Sequence, residues 1–190
     1  MIDGSDVLRR VCDAIDNGSD RDASAILERD YPFKPLANVG RRYSELECMR
    51  VFARDGFIDR YSGRRLVFPG TLRLISMLFP KLFPFQNNWK TDACHFAFYE
   101  LFPTIDHLIP VSRGGGDDED NRISTSMIRN AAKANFTIQE IGWRTLPPGD
   151  MYEWDGLTRW FLHQATIRKE LGERGYFHRW GDAAKKVLSV

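Results

Sequence analysis

One stretch of the chain constrains its fold more than any other: residues 104–135, TIDHLIPVSRGGGDDEDNRISTSMIRNAAKAN. A short apolar run ends at Asp106-His107, and a glycine-rich, acidic turn follows it. A second short run, residues 121–125, then leads into a polar segment with helical character. Because clusters of glycine and aspartate mark turns between regular segments, this order predicts a strand, a loop, a second strand and a helix.

Nine residues of this stretch stand at the spacing D-H-x-x-P-x-S-x-G-G, followed by N and then by N-x-x-K. They are Asp106, His107, Pro110, Ser112, Gly114, Gly115, Asn121, Asn130 and Lys133. The pattern resembles the HNH nuclease motif, also called the ββα-metal fold, in the variant where Asn130 replaces the last histidine. The resemblance covers about thirty of the 190 residues. It implies an α+β fold in which N-terminal and C-terminal helical extensions surround a ββα-metal (HNH) core.

The resemblance assigns catalytic roles within the motif. Phosphodiester hydrolysis needs a base that activates water, and His107 suits this role because imidazole changes its protonation near neutral pH. Asp106 and Asn130 are expected to hold Mg²⁺, Mn²⁺ or another divalent ion through hard oxygen ligands. Neighbouring residues on an ideal strand point to opposite faces. In the family, however, this pair lies at the strand end, where both groups aim inward.

Three further residues are expected to position the loop and the substrate. The resemblance gives Asn121 the role of bracing the loop and fixing the catalytic histidine, and a side-chain amide suits this role because it both donates and accepts hydrogen bonds. Arg113 and Lys133 are predicted to contact nucleic-acid phosphates. The acidic run at residues 117–120 is interpreted as a solvated turn that keeps DNA on the other side of the loop.

Many members of this family carry a zinc knuckle beside the motif, and this chain lacks the cysteines of that knuckle. The matching positions hold Asp59, Ser62, Ser126 and Arg129. Structural zinc requires a closed set of cysteine and histidine ligands, so we expect no structural zinc here. We predict that packing and hydrogen bonds keep the geometry of this corner instead.

Periodicity and turn residues divide the rest of the chain. Predicted helices cover residues 5–17, 20–30, 45 to about 54, 71–78, 155–171 and about 176–188, a hairpin covers 57–68, and 96–105 is expected to lie in the sheet. These elements predict an N-terminal helical extension (1–43), a nuclease core (44–145) with an insertion at about 69–98, and a C-terminal helical extension (146–190). We expect them to form one compact domain.

Aromatic residues are dense in the insertion, which contains Phe79, Phe83, Phe85 and Trp89. One interpretation is a surface that stacks unpaired bases. The other, which we favour, is core packing, because aromatic runs interrupted by proline usually fill cores. The pair Cys94-His95 has side chains that can bind metals, but without a second pair it is interpreted as structural.

Charge and cysteine content restrict the class of protein only weakly. The formal net charge is +1, yet residues 41–73 carry eight arginines and four acidic residues. Such a segment either attracts a polyanion or solvates a helix face. The three cysteines form no CxxC pair, which indicates a reducing compartment. No run approaches the ~18 apolar residues of a membrane span, so we expect a cytoplasmic protein without a membrane partner.

These observations predict a metal-dependent HNH endonuclease that hydrolyses DNA, with duplex DNA as the expected substrate. By resemblance its products carry 5′-phosphate and 3′-hydroxyl ends, and its setting is restriction or defence against foreign DNA. Two alternatives stay open: a catalytically inactive HNH-fold module that binds DNA, and a structure-selective or single-strand nuclease acting on DNA or RNA. The helical extensions leave a homodimer open.

Overall fold

The computed structural model describes residues 3–33, 42–171 and 175–189. The chain forms two compact units, Met1–Asn38 and Val39–Val190. Helices dominate both, and the sheet of the second unit has two antiparallel strands. The fold is therefore α+β.

Two helices make up the first unit, α1 (Gly4–Asp16) and α2 (Asp20–Asp30). Both were predicted to within a residue or two. The side chain of Asp3 caps α1, because it accepts the hydrogen bond from the Ser5 N–H at the helix start. The two helices bury small apolar side chains, including Val7, Val11 and Ala23.

The second unit begins with α3 (Glu45–Arg54), whose start is fixed by the predicted capping box between Ser44 and Glu47. Three more helices surround it: α4 (Pro69–Leu78), α7 (Thr158–Ile167) and α8 (Gly175–Leu188). Their buried faces meet in an aromatic core formed by Phe52, Phe57, Phe68, Phe161, Phe177 and Trp180. The helix predicted at 155–171 is shorter than expected, because a separate 3₁₀ turn, Lys169–Leu171, follows α7.

The strand–loop–strand–helix order predicted for residues 104–135 is confirmed. Strand β1 (Pro103–His107) pairs with β2 (Arg122–Ser126), with Pro103 opposite Ser126 and His107 opposite Arg122. Helix α6 (Met127–Lys133) follows β2 directly. The intervening loop starts with a 3₁₀ turn, Val111–Arg113.

The prediction that 96–105 lies in the sheet was wrong for its first half. Residues Ala97–Leu101 form a short helix, α5, and the extended backbone begins only at Phe102. A residue before proline avoids the helical region, so Pro103 ends the helix and starts the strand. A short apolar run does not distinguish helix from strand by its periodicity, which explains the error.

The hairpin predicted at 57–68 is present as a tight loop with little strand. A single bridge joins Ile58 to Arg65, and Gly63 donates its N–H to the Asp59 carbonyl at 2.8 Å. Gly63 has a φ of +72°, a conformation that favours glycine. The predicted hairpin is therefore reduced to its turn, because the strands beside it do not extend.

The aromatic insertion packs inward, which agrees with the core-packing interpretation of the sequence. Phe83, Phe85 and Trp89 surround the fully buried Phe98, whereas Phe79 is 53% exposed. The Cys94-His95 pair is structural as well, since Cys94 is buried in this cluster and His95 stacks on Phe83. No helix in the described part of the chain combines the length and the apolar character needed to cross a membrane.

Candidate functional site

The end of β1 carries Asp106 and His107, and their side chains go to different partners. Asp106 Oδ2 accepts a hydrogen bond from the Tyr61 hydroxyl at 2.6 Å and lies 3.1 Å from Lys133 Nζ. His107 Nε2 lies 2.8 Å from Asp117 Oδ1. Side chains alternate along a strand, and this pair follows that rule. The shared inward aim expected from the resemblance is not found.

Lys133 lies beneath the site and not on its surface. The residue has no exposed area, and its ammonium group donates to the His107 carbonyl at 2.7 Å as well as pairing with Asp106. A buried ammonium cannot reach a phosphate at the protein surface, so in this structure Lys133 does not serve as the predicted phosphate contact. It instead ties α6 to the end of β1.

Tyr61 completes the buried ion pair. Burial, and after it the negative charge of Asp106, raise the pKa of Tyr61 well above its ordinary value. The phenol therefore stays protonated and donates to the carboxylate. Asp106 thus has an ammonium and a hydroxyl as partners, which is what a buried charge requires.

The predicted metal ligands do not form a cation site in this arrangement. Asn130 uses its side-chain N–H₂ group as a donor to Thr104 Oγ1 and to the Ile105 carbonyl, both at 3.1 Å. Asp106 is already neutralised by Lys133. Within the described part of the chain, no group of three or more His, Cys, Asp and Glu side chains could hold a metal ion. A divalent ion beside Asp106 would face a buried ammonium, so the donor set as arranged does not fit Mg²⁺, and the ion stays a prediction.

Asn121 has the geometry of a loop brace. Its Oδ1 accepts from the Ile109 N–H at 2.9 Å, and its Nδ2 donates to the carbonyls of Ile109 at 2.9 Å and Gly116 at 2.7 Å. The side chain thereby closes the loop between the two strands on itself. Space at this point is tight, since a Cβ on Gly115 would lie 2.0 Å from the Ile109 carbonyl oxygen.

His107 belongs to a cluster of three hydrogen-bond donors around one carboxylate oxygen. Asp117 Oδ1 lies 2.6 Å from the Tyr43 hydroxyl, 2.8 Å from His107 Nε2 and 2.9 Å from Arg122 Nε. The Arg122 guanidinium also stacks over the Tyr43 ring, 4.7 Å from its centroid. Side chains from β1, from β2 and from the segment before α3 therefore all contact a single oxygen atom.

The negative charge of Asp117 is paired with the positive charge of Arg122. The Arg122 hydrogen bond, helped by those from Tyr43 and His107, holds the pKa of Asp117 well below its usual range. The same contact raises the pKa of Arg122. Asp117 is therefore ionised and Arg122 charged at neutral pH. The site is built to hold an anionic oxygen.

No family model matches this chain, and comparisons with curated proteins and with solved structures give no match either. The HNH family therefore rests on the resemblance of residues 104–135 alone.

Sequence reasoning missed three members of this cluster. Asp117 was hidden in an acidic run that was interpreted as a solvated turn, yet its carboxylate turns inward to His107. Tyr43 lies 64 residues before His107 in an irregular connector, and no local pattern marks it. Arg122 follows the motif asparagine directly, which is the one signal that could have found it.

Arg113 lies at the surface as expected, but its charge is paired. The guanidinium contacts the Glu140 carboxylate at 2.5 Å, and this contact is the main reason that the pKa of Glu140 falls to about 2. Its role as a phosphate contact stays a prediction.

The corner that resembles a zinc knuckle is held by hydrogen bonds to a buried carboxylate. Asp59 Oδ1 accepts from the backbone N–H groups of Tyr61 and Ser62 at 3.0 and 3.1 Å, and Oδ2 accepts from the Ser126 N–H at 3.0 Å. The side chain joins the tight turn to the outer edge of β2. These are the hydrogen bonds predicted to keep the geometry of this corner.

The neighbouring part of the β2 edge uses a second buried carboxylate. Asp55 Oδ2 accepts from the Ser124 N–H at 2.7 Å, while Arg54 and Arg60 pair with its other oxygen. Other arginines of the 41–73 segment are also used within the fold, since Arg64 pairs with Glu100 and Arg73 stacks on Phe85. These four arginines of the segment therefore have partners within the fold.

Proposed function

We propose that the protein is an endonuclease that hydrolyses phosphodiester bonds in DNA. One observation supports this more than any other: His107, Arg122 and Tyr43 surround a single anionic oxygen at the end of β1. A base, a fixed positive charge and a hydroxyl donor all lie within hydrogen-bond reach of that point. Phosphoryl chemistry depends on such positioning and charge compensation.

In the proposed reaction a phosphodiester group binds beside His107. The neutral imidazole, with Nε2 unprotonated, takes a proton from water as the water oxygen bonds to phosphorus. The P–O bond to the leaving sugar oxygen breaks, and that oxygen takes a proton from solvent. The Arg122 guanidinium offsets the charge that grows on the phosphoryl oxygens, and its fork geometry suits phosphate. The Tyr43 hydroxyl supplies one further hydrogen bond.

The rest of the motif positions His107. Lys133 holds the carbonyl of His107 from below, and Asn121 fixes the loop that follows β1. These contacts reduce the freedom of the imidazole, as an aligned base requires. Magnesium, the expected product ends and a role in restriction or defence stay predictions from the resemblance, and none of the steps above uses a metal.

A non-catalytic DNA-binding module is the second candidate, and the Asp106–Lys133 pair favours it. An active site of the expected type needs Asp106 free for a metal, and here that carboxylate is buried against an ammonium. The single-strand alternative has less support, because three of the four aromatic side chains behind it pack into the core.

Plasmid cleavage in the presence of Mg²⁺, Mn²⁺ or a chelator separates these candidates. Wild type is compared with His107→Ala, and His163→Ala serves as the matched control because His163 is an exposed histidine on α7. Cleavage by wild type and by the control, but not by His107→Ala, supports the proposal. DNA binding without cleavage by any of the three favours the binding module, and equal cleavage by all three rejects His107 as the base.

A further inference from the structure

We infer that Asp117 is an internal substitute for a substrate phosphate: Tyr43, His107 and Arg122 form an oxyanion site that the Asp117 carboxylate fills when no substrate is bound. The identification of the competing anion as a phosphate group rests on the proposed function. The existence of the anion site rests on geometry alone.

The first argument is convergence. The three donors come from different segments, Tyr43 from the coil before α3, His107 from β1 and Arg122 from β2, and all three contact the same Oδ1 atom. A carboxylate that only orients a histidine needs one partner. A point approached by a guanidinium and a hydroxyl, with an imidazole beside them, has the donors of a phosphate site and a base next to it.

The second argument is that the acceptor, Asp117, is more exposed to solvent than the side chains of His107 and Arg122. The Asp117 side chain is 38% exposed, whereas those of His107 and Arg122 are 8% and 14% exposed. The acceptor therefore covers the donors from the solvent side. A phosphate can replace it from solution while the core beneath stays packed.

The third argument is the backbone before Asp117. Gly116 precedes it and Gly114, with a φ of +91°, lies three residues before it. Glycine accepts backbone angles that other residues do not. Asn121 holds the Gly116 carbonyl, and Arg122 Nη2 donates to the Asp117 carbonyl at 2.8 Å. The backbone on both sides of Asp117 is therefore fixed, and the carboxylate leaves its three partners by rotation of its own side chain.

Occupation of the anion site by Asp117 lowers the affinity of the protein for an external anion. Substrate must displace Asp117, so only the fraction of molecules with the carboxylate withdrawn is ready to bind. Removal of the carboxylate leaves the Arg122 charge without its partner and the donors open to solvent. Substrate phosphate then binds without that competition.

The test measures binding of inorganic phosphate by the full chain, followed through the imidazole resonances of His107. The variants are Asp117→Ala, the isosteric Asp117→Asn, and the control Asp120→Ala, which removes an equal charge from the same acidic run. Thermal unfolding checks that each variant is folded. We expect both Asp117 variants to bind phosphate at least about tenfold more tightly than wild type, and the control to change less than about twofold. DNA cleavage is measured in parallel and is expected to rise in the Asp117 variants.

Each outcome bears on the inference. Tighter phosphate binding at His107 by either folded Asp117 variant supports it, and if none of the proteins cleaves DNA, the anion site stands while the proposed nuclease function fails. Phosphate binding that is unchanged or weaker, or that rises equally in Asp120→Ala, overturns it. A loss of cleavage in Asp117→Asn also overturns it, because Asp117 would then orient the base.

Discussion

Two neighbouring residues of β1 make two side-chain contacts of opposite character. On one face Asp106 pairs with Lys133, which has no exposed area. On the other face His107 contacts Asp117, whose side chain is 38% exposed. The buried pair cannot exchange its partner without opening the core, so it holds β1 to α6. The open pair can exchange an internal carboxylate for an external anion. The comparison separates the structural face of the motif from the face on which we place the chemistry.

The largest expected effect comes from breaking the buried pair. Lys133→Met leaves Asp106 buried without its cation, and we expect the free energy of unfolding to fall by about 3–5 kcal/mol. Chemical denaturation measures this change. Lys90→Met, at an exposed lysine, is the control and should change stability by less than about 0.5 kcal/mol. Similar small changes in both variants would contradict the structural role of Lys133.

A somewhat smaller loss is expected at the corner where the knuckle cysteines are replaced. Asp59→Ala removes the acceptor of three backbone N–H groups, two of which belong to the tight turn and one to β2. We expect a loss of about 3 kcal/mol in the free energy of unfolding. Asp92→Ala, at an exposed acidic residue, should change stability little. If Asp59→Ala unfolds at the same denaturant concentration as this control, hydrogen bonds do not hold the corner.

The smallest effect concerns the pH dependence of the open pair. The pKa of Asp117 is depressed, chiefly by Arg122, so its contribution to stability is fully present above the ordinary aspartate pKa of about 3.9. That contribution is lost as the pH falls from there through the lower pKa of the folded state. Wild type should therefore melt above Asp117→Asn at pH 7 and at pH 5, with a smaller difference at pH 3. A difference that grows towards pH 3 would mean that the ionised carboxylate does not stabilise the loop.

The sequence was sufficient for the order of elements around the motif, because local signals set each of them. Glycine-rich and acidic residues marked the loop, and the capping box marked α3. The resemblance to the HNH motif gave Asn121 the role of a brace. The sequence was insufficient at 97–101, where a short apolar run is compatible with a helix or a strand. The structure has a helix there, which ends just before Pro103.

The partners within the site were harder to predict, because they depend on contacts between distant segments. Nothing near Tyr43 indicates that its hydroxyl reaches the end of β1. Whether the Lys133 side chain is buried or exposed depends on how α6 packs against β1, and motif spacing does not determine that packing. Asp117 was misinterpreted for a related reason. Its charge suggested a fully solvated side chain, whereas Arg122 and Tyr43 donate hydrogen bonds to its carboxylate.

The central claim is that the His107 face of β1 performs the chemistry, and one measurement tests it most directly. Single-turnover cleavage of an end-labelled DNA duplex is compared between wild type and His107→Ala. Removal of a general base is expected to slow the chemical step by about 10²–10⁴-fold while the mapped cleavage positions stay the same. Equal rates for the two proteins would contradict the account.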